Sequence, residues 1–269
     1  MSTTTSTTSL PEPKRARSES SEFSLSSIRD ALIRQEDTII FAMIERGQFA
    51  NNAQLYKSGA LGHGDAIYPN DSFFEHFLYK TETLHSSLGR YREGDLEHAF
   101  FENRTLPKAY ISSSPVEVWG KPLKTNQINF NPEILSRYPQ EIASMLACGE
   151  EDLHFGSTSL CDVALLQALS YRIHYGKLVA ESKFRSEKHA LFVELITNKD
   201  AEGIMRELTD VKVEDKVIDR VTRKAARYGS EENQEAFKVK PEVVGQIFRN
   251  FLIPLTKEVQ VAYLLERLN

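Results

Sequence analysis

Two basic residues in the most regularly patterned segment of the chain could hold one anion between them. Arg172 and Lys183 are eleven residues apart, and eleven helical steps of about 100° return a side chain to nearly the same face. Apolar residues share that face, and an unpaired charge in apolar surroundings is costly. An anionic group should therefore pair with the two cations. The residues alone favour a structural salt bridge or two long side chains that reach solvent, with a bound anionic ligand as the alternative.

Further polar residues lie near the ends of predicted helices. Arg29 shares a helix face with Glu36, which could pair with it. Asp210 and Glu214 are four residues apart at the start of a helix, where the first fits an N-cap and the second a first-turn acid. These residues alone do not define a reaction.

Thr256 and Gln260 are also four residues apart, just after Pro254. Thr256 fits an N-cap or an exposed position following the proline. The chain contains no glycine-rich phosphate loop, no metal-spaced cluster of His, Cys or Asp, and no nucleophile elbow. Phosphoryl transfer, zinc hydrolysis and nucleophilic acyl transfer therefore lose support. We expect His174 to be a hydrogen-bonded structural residue.

The elements that must position these residues are predicted to be helical throughout. Apolar residues recur at helical spacing, and no stretch alternates with period two for long. The predicted helices are 26–49, 72–92, 132–148, 158–184, 188–198, 200–208, 211–228 and 242–268, the last interrupted at Pro254. Residues 50–70, 102–131 and 149–157 are predicted connections. The fold class is therefore all-α, a multi-helix bundle with long N-terminal, central and C-terminal helices and no domain boundary within 23–269.

Composition limits the partners and the compartment. The 269 residues carry a net charge of −5 and are 41% hydrophobic, which suits a globular protein and gives no general attraction for nucleic acid or a membrane surface. Cys148 and Cys161 are predicted to be core thiols in a reducing compartment. Residues 1–22, rich in Ser and Thr, are predicted to be a disordered tail. We expect a cytoplasmic protein, with nuclear or plastid targeting by the tail as weaker alternatives.

Three long segments, residues 28–41, 172–184 and 254–268, closely resemble the long all-helical chorismate mutases of fungi and plants. The resemblance continues through the short segments 155–157, 203–205 and 213–214, and so spans nearly everything from residue 24 onward. It implies the chorismate mutase fold and an isomerase that converts chorismate to prephenate in phenylalanine and tyrosine biosynthesis. The reaction is an intramolecular rearrangement, so the resemblance implies no cofactor and no metal.

The resemblance also implies roles for individual residues. Arg29 and Arg172 match the arginines that hold the two substrate carboxylates, and Thr256 matches a residue directed toward a carboxylate. Lys183 and Gln260 match the groups that face the ether oxygen. The matches near the substrate hydroxyl are Asp210, which stands where fungal relatives have asparagine, and Glu214. Glutamine at position 260 replaces the glutamate of yeast-type enzymes. A glutamate must be protonated to donate a hydrogen bond to the ether oxygen, whereas the glutamine amide should donate at every pH.

A homodimer with an effector site for tyrosine, phenylalanine or tryptophan between subunits is a further implication. Arg90, Gly156 and Ser157 match parts of that site, with Arg90 expected near a helix end. Two departures weaken this expectation: a fungal arginine pair is reduced to one, and Leu160 replaces a hydroxyl residue. An unregulated enzyme, a catalytically silent sensor or scaffold, a secreted mutase and a bifunctional enzyme are the alternatives. The seven catalytic matches argue against the silent protein.

Overall fold

The computed structural model describes residues 23–62, 68–92, 96–101, 103–110, 123–229 and 238–269, and this part of the chain contains helices and no strands. The all-α prediction is confirmed. The predicted tail, residues 1–22, lies outside the described residues. The helices are α1 Leu25–Arg46, α2 Phe73–Ser87, α3 Asn131–Tyr138, α4 Ser144–Leu146, α5 Phe155–His174, α6 Gly176–Phe184, α7 His189–Thr197, α8 Ala201–Leu208, α9 Val211–Gly229, α10 Pro241–Ile247 and α11 Ile253–Glu266.

Side-chain caps explain where the first two helices begin. The Ser24 hydroxyl accepts from the Ser27 backbone N–H, and the Ser27 side chain accepts from Ser24 in return. The same reciprocal arrangement joins Ser72 and Glu75 at the start of α2. Each pair satisfies two backbone donors that a helix start leaves free.

The second helix ends earlier than predicted. Gly89 has φ of 94° and Tyr91 has φ of 62°, and two left-handed residues so close together cannot continue a right-handed helix. The helix therefore ends at Ser87 rather than near residue 92. Arg90 consequently lies just beyond the end of the helix and not within it, as the predicted range 72–92 had placed it.

The central helix begins earlier than predicted and has a break. It starts at Phe155, so Gly156 and Ser157 belong to its first turn and not to the preceding connection. Tyr175 separates α5 from α6. Arg172 and Lys183 therefore lie on two successive helices, one on each side of Tyr175.

Two π-helical turns interrupt other predicted helices. Pro139–Ala143 joins α3 to α4, where the proline lacks the N–H of a regular helical hydrogen bond. Phe248–Leu252 joins α10 to α11. The predicted interruption near Pro254 is confirmed, and the irregular turn lies just before that proline.

The central helix is buried by the long N-terminal and C-terminal helices. α1 packs along α5, α6 and α9, while α11 packs along α5, α6 and α8. The apolar interior formed in this way includes Ile39, Leu166, Leu169, Phe248 and Leu255, each fully inaccessible to solvent or nearly so. Residues far apart in sequence are thereby brought to one region around α5, α6, α9 and α11.

A buried ion pair lies between α1 and α5. The Arg46 Nε is 2.5 Å from an Asp162 oxygen, and both side chains are fully inaccessible. Tyr56 and Tyr138 each donate a hydroxyl hydrogen bond to the same carboxylate, at 2.6 and 2.7 Å. The charge is therefore both paired and hydrogen-bonded, which is what makes its burial tolerable.

The two cysteines differ from their predicted environment. Cys148 is exposed and Cys161 is half-buried, so the prediction of core thiols is wrong for Cys148, which follows the end of α4 at Leu146. No helix in the described ranges is long and apolar enough to cross a bilayer.

Candidate active site

Arg172, on the last turn of α5, is a buried cation without a carboxylate partner within hydrogen-bonding distance among the described residues. It is only 7% exposed. Its Nη1 lies 3.5 Å from Thr256 Oγ1, and its Nε is buried without a hydrogen-bond partner in the described chain. Burial lowers the pKa of the guanidinium to about 10. The group therefore remains charged at neutral pH while its hydrogen bonds are incompletely satisfied.

Thr256 and Gln260 on α11 border the same space. Thr256 is 8% exposed and Gln260 is 5% exposed, which corrects the expectation of an N-cap or exposed Thr256. Gln260 Nε2 donates to the Thr256 carbonyl at 3.1 Å, leaving its second N–H for another acceptor. Gln260 Oε1 is buried without a hydrogen-bond partner among the described residues.

A glycine lets α6 approach this part of α11 closely. A Cβ atom added to Gly176 would lie 2.8 Å from the Thr256 carbonyl oxygen and 3.1 Å from Thr256 Cγ2. The Thr256 carbonyl belongs to the helix backbone and cannot move aside for an added Cβ as a flexible side chain could. Glycine at this position therefore sets the spacing between the helix that carries Lys183 and the helix that carries Gln260.

Lys183, half-buried on α6, faces a mixed electrostatic environment. Its Nζ donates to the Leu208 carbonyl at 2.9 Å. Burial lowers the pKa of the ammonium, as does the positive charge of Arg29, while Asp210 and Glu214 oppose this shift. The predicted catalytic groups of α1, α6 and α9 are thus close enough to influence one another electrostatically.

Arg29 is exposed near the start of α1, and Glu36 does not serve as its counter-ion. The Glu36 carboxylate is held by Arg220 of α9 at 2.9 and 2.6 Å and by Lys224 at 3.2 Å. The Coulombic attraction of Glu36 opposes the lowering of the Arg172 pKa that burial causes, but does not cancel it. These contacts fasten α1 to α9 and leave Arg29 at the open side of the region.

The two acids at the start of α9, one just before the helix and one in its first turn, have different environments. Asp210 is exposed and its carboxylate accepts from the Val213 backbone N–H at 3.2 Å, as an N-cap does. Glu214 is 26% exposed and pairs with Lys257 at 3.0 Å. Sequence reasoning missed Lys257, although its position next to Thr256 was a usable signal.

The predicted effector residues lie apart from this region and from one another. Gly156 and Ser157 are exposed in the first turn of α5, whereas Arg90 contacts Gln167 on the same helix at 3.3 Å. Ten residues of helix rise about 15 Å, so hydrogen bonds to one amino-acid head group cannot reach both ends within one chain.

One cleft in the described part of the chain belongs to neither set of residues. It has a volume of about 520 Å³ and lies beside α2, α3 and the residues Phe100, Phe101 and Asn103. Tyr56, Phe74 and Leu135 are among its other lining residues. None of the predicted catalytic or effector residues lines it.

Comparison with known proteins gives many relatives of one kind. The family model for chorismate mutase type II matches residues 156–261. The chorismate mutase of Schizosaccharomyces pombe is 38% identical over 249 residues, which cover 91% of this chain and 96% of the relative. Chorismate mutase 1, chloroplastic, of Zea mays is 40% identical over 268 residues, covering 96% and 84% of the two chains.

Solved structures agree with these sequences. AtCM1 with tyrosine bound in its allosteric site is 38% identical and has a TM-score of 0.81. The match covers 94% of this chain and 99% of the AtCM1 chain. The Candida albicans enzyme in complex with L-Trp is 36% identical with a TM-score of 0.80, over 91% of this chain and 92% of the other. The resemblance noted in the sequence is confirmed, and the chain belongs to the chorismate mutase type II family.

Proposed function

We propose that the chain, as a member of this family, rearranges chorismate to prephenate in the region between α1, α5, α6, α9 and α11. The observation that carries the assignment to this region is Arg172, a buried cation with an unpartnered Nε. A buried charge of this kind is stabilised by an anionic ligand. Chorismate is a dicarboxylate, and its two carboxylates suit Arg172 and Arg29.

The proposed mechanism relies on conformation and electrostatics. Holding both carboxylates favours the compact, chair-like conformer in which the bond-forming carbons approach each other. Lys183 and Gln260 then donate to the ether oxygen, where negative charge grows as its bond to the ring breaks. Such a preorganised donor stabilises a transition state by about 2.7 to 4 kcal/mol. The rearrangement is unimolecular, so the proposal assigns no nucleophile, no redox group and no cofactor.

The remaining groups of the site orient the ring. Asp210 and Glu214 are proposed to accept from the substrate hydroxyl, and the Thr256 hydroxyl to contact a carboxylate beside Arg172. The ion pair between Glu214 and Lys257 supports this role, because the contact restrains the position of the Glu214 carboxylate. We also propose that residues 23–269 form a single catalytic domain. The support is that one apolar cluster joins α1 to α11, and that α11 also packs in a second cluster with α6, α7 and α8.

The test of the catalytic proposal is loss of chorismate absorbance with purified protein. Replacing Arg172 by alanine should lower kcat/KM roughly a hundredfold or more, because a buried ionic contact with the substrate is lost. Arg223→Ala, which removes an exposed arginine of α9, is the matched control and should retain full activity. An inert wild type would support the silent sensor, and an active Arg172→Ala variant would exclude the role assigned to Arg172.

We further propose a homodimer in which an aromatic amino acid binds between Arg90 of one subunit and the Gly156–Ser157 turn of the other. The distance along α5 supports a site divided between chains. Leu84, Leu88 and Leu160 are 66%, 64% and 63% exposed in the single chain. These apolar side chains at the end of α2 and on α5 support a surface that a second subunit covers. The related structures bind tyrosine and L-Trp. Light scattering and calorimetric titration with tyrosine, phenylalanine and tryptophan test the two parts separately.

The compartment stays a separate proposal. The expected cytoplasmic location is supported by Glu12, Glu19 and Glu22 in the tail, because plastid transit peptides contain few acids. The Zea mays relative is named chloroplastic. Fluorescence microscopy of the full chain with a C-terminal fluorescent fusion would distinguish the two compartments.

A further inference from the structure

Arg90 has few donors left for a ligand in this conformation. Its Nε and Nη2 bind the two oxygens of Glu97 at 3.0 and 2.9 Å. Its Nη1 donates to Gln167 Oε1 at 3.3 Å and lies 2.9 Å from His85 Nδ1. Burial and the charge of Arg90 lower the pKa of His85, so its neutral ring can accept. Four of the five guanidinium N–H groups are thus engaged.

This arrangement places Glu97 in competition with any carboxylate ligand of Arg90. Arginine binds a carboxylate most favourably through two parallel N–H groups, and the Glu97 carboxylate occupies such a pair. An amino-acid effector can gain the same geometry only after Glu97 has left. The two side chains are about one third exposed, so the pair is open enough to exchange.

The residue after Glu97 is fastened to the helices that carry the proposed catalytic cations. His98 Nε2 lies 3.0 Å from Lys177 Nζ on α6. Lys177 is 2% exposed and also donates to the Ile128 carbonyl at 2.5 Å. Burial and the neighbouring ammonium lower the pKa of His98 to about 4, so the ring is a neutral acceptor. The ring also packs on His174, with 4.6 Å between centroids.

His174 is itself held on both ring nitrogens. Its Nε2 accepts from the Phe130 backbone N–H at 2.9 Å and its Nδ1 lies 2.8 Å from the Ser170 carbonyl, as expected for a structural histidine. His174 is two residues from Arg172, and Lys177 is six residues from Lys183. His98 therefore contacts both sides of the break at Tyr175.

Little free space surrounds this connection. A cavity of about 10 Å³ lies among Arg90, Glu97, His98, Gln167 and Ser170, which is room for about one water molecule. Side chains packed at this density cannot shift independently, so a displacement of Glu97 is carried to its neighbours.

We propose that the dipeptide Glu97-His98 couples the effector arginine to the catalytic helices. Glu97 occupies Arg90 when no effector is bound, and an effector carboxylate that displaces it moves His98, Lys177 and the junction of α5 with α6. The inference rests on the effector site proposed above. His98 and Lys177 are positioning residues, because they act on the substrate only through the placement of Arg172 and Lys183.

The first experiment measures competition at Arg90. The full chain, Glu97→Gln and the control Glu133→Gln, which removes an exposed partner of Arg137, are titrated calorimetrically with tyrosine, phenylalanine and tryptophan. Loss of the competing carboxylate should tighten binding of the effector roughly threefold to fivefold. The control should bind as the wild type does.

The outcomes separate this inference from the effector site itself. Equal binding by the wild type and Glu97→Gln would overturn competition and leave the effector site standing. Binding by Glu97→Gln alone would support competition in its strongest form. Heat from none of the proteins would overturn both the effector site and this inference.

The second experiment measures coupling. His98→Gln keeps an acceptor for Lys177, while His98→Leu removes it, and kcat and KM are determined for each with and without saturating effector. The Leu variant should bind the effector but lose its response, with the ratio of the two rates approaching one, and the Gln variant should retain the response. A merely structural role would lower both rates and leave the ratio unchanged. If His98→Leu does not fold, His98→Asn takes its place, because the shorter amide does not reach Lys177 Nζ as the ring Nε2 does. An undiminished response to the effector in that variant overturns the link.

Discussion

Burial of Arg172 prepares that residue for an anionic substrate before the substrate arrives. A cation in water must shed its hydration to bind a carboxylate, whereas Arg172 has already lost most of its solvent, as its lowered pKa shows. Thr256 at 3.5 Å is a weak partner, so an incoming carboxylate displaces no strong ion pair. Most of the desolvation is thus part of folding and not of binding.

Gln260 determines the pH dependence expected at the ether oxygen. An amide donates at every pH, while a glutamate at the same position donates only when protonated. The wild type should therefore keep kcat/KM from pH 5 to neutrality and decline only where Lys183, whose pKa is lowered, loses its proton. The Gln260→Glu variant should be most active in acid, and steady-state rates across this range test the difference. Superimposable profiles would exclude Gln260 as the donor.

The eleven-residue spacing of Arg172 and Lys183 assumed one continuous helix, whereas Tyr175 separates α5 from α6. Helical geometry alone therefore did not establish that the two side chains share a face, and their joint role stays a prediction. The absence of a counter-ion for Arg172 could not be predicted, since Glu36 is withdrawn from competition by Arg220 and Lys224 of a distant helix. The sequence could have drawn attention to Lys257, which follows Thr256, but it could not identify the partner of Lys257. Glu214 is far away in the sequence and meets Lys257 only in the folded chain.

At the scale of elements, the approach of α6 to α11 determines whether the proposed donors can converge. The Gly176→Ala variant should push α6 away from Thr256, because the added Cβ would lie 2.8 Å from a carbonyl oxygen. We expect kcat to fall at least about tenfold, since small misplacements of catalytic groups are costly, together with a lower melting temperature. Gly62→Ala, where the Cβ would meet open space, is the control. Unchanged kcat in Gly176→Ala would show that this spacing is not critical.

Helix positions were predicted better than helix ends. Apolar periodicity located every long helix, but Gly89 alone did not reveal that Tyr91 is also left-handed, so α2 was predicted to run too far. The start of α5 was predicted at residue 158, after a connection over 149–157, whereas the helix begins at Phe155 without a side-chain cap at His154. End effects depend on tertiary contacts that local sequence does not encode.

At the scale of the whole molecule, Glu82 should make stability depend on pH. Burial raises its pKa to about 7, against interactions with the Phe100 and Phe101 backbone and with Arg104 and Arg90 that lower it. The folded state thus holds a proton that the unfolded state releases between pH 4.5 and 7, so this group's contribution becomes less favourable as pH rises through that window. The change is on the order of 2 to 3 kcal/mol.

The Glu82→Gln variant should lose this dependence, because a neutral amide keeps an acceptor for the Phe100 N–H, now at 2.7 Å from Glu82. Denaturant unfolding at pH 5.5 and pH 8 would then show the variant gaining stability relative to the wild type at the higher pH. Glu133→Gln, an exposed acid, should show no such gain. Parallel stability curves for Glu82→Gln and the wild type would contradict the raised pKa.

The placement of Arg90 about three helical turns from the Gly156–Ser157 turn has a consequence for how the protein behaves on dilution. All seven proposed catalytic residues come from one chain, whereas the proposed effector site needs two. Specific activity should therefore be the same at any enzyme concentration at which the single chain stays folded. Sensitivity to an amino acid should instead fade once dilution separates the subunits, so catalysis and its control would have different concentration limits.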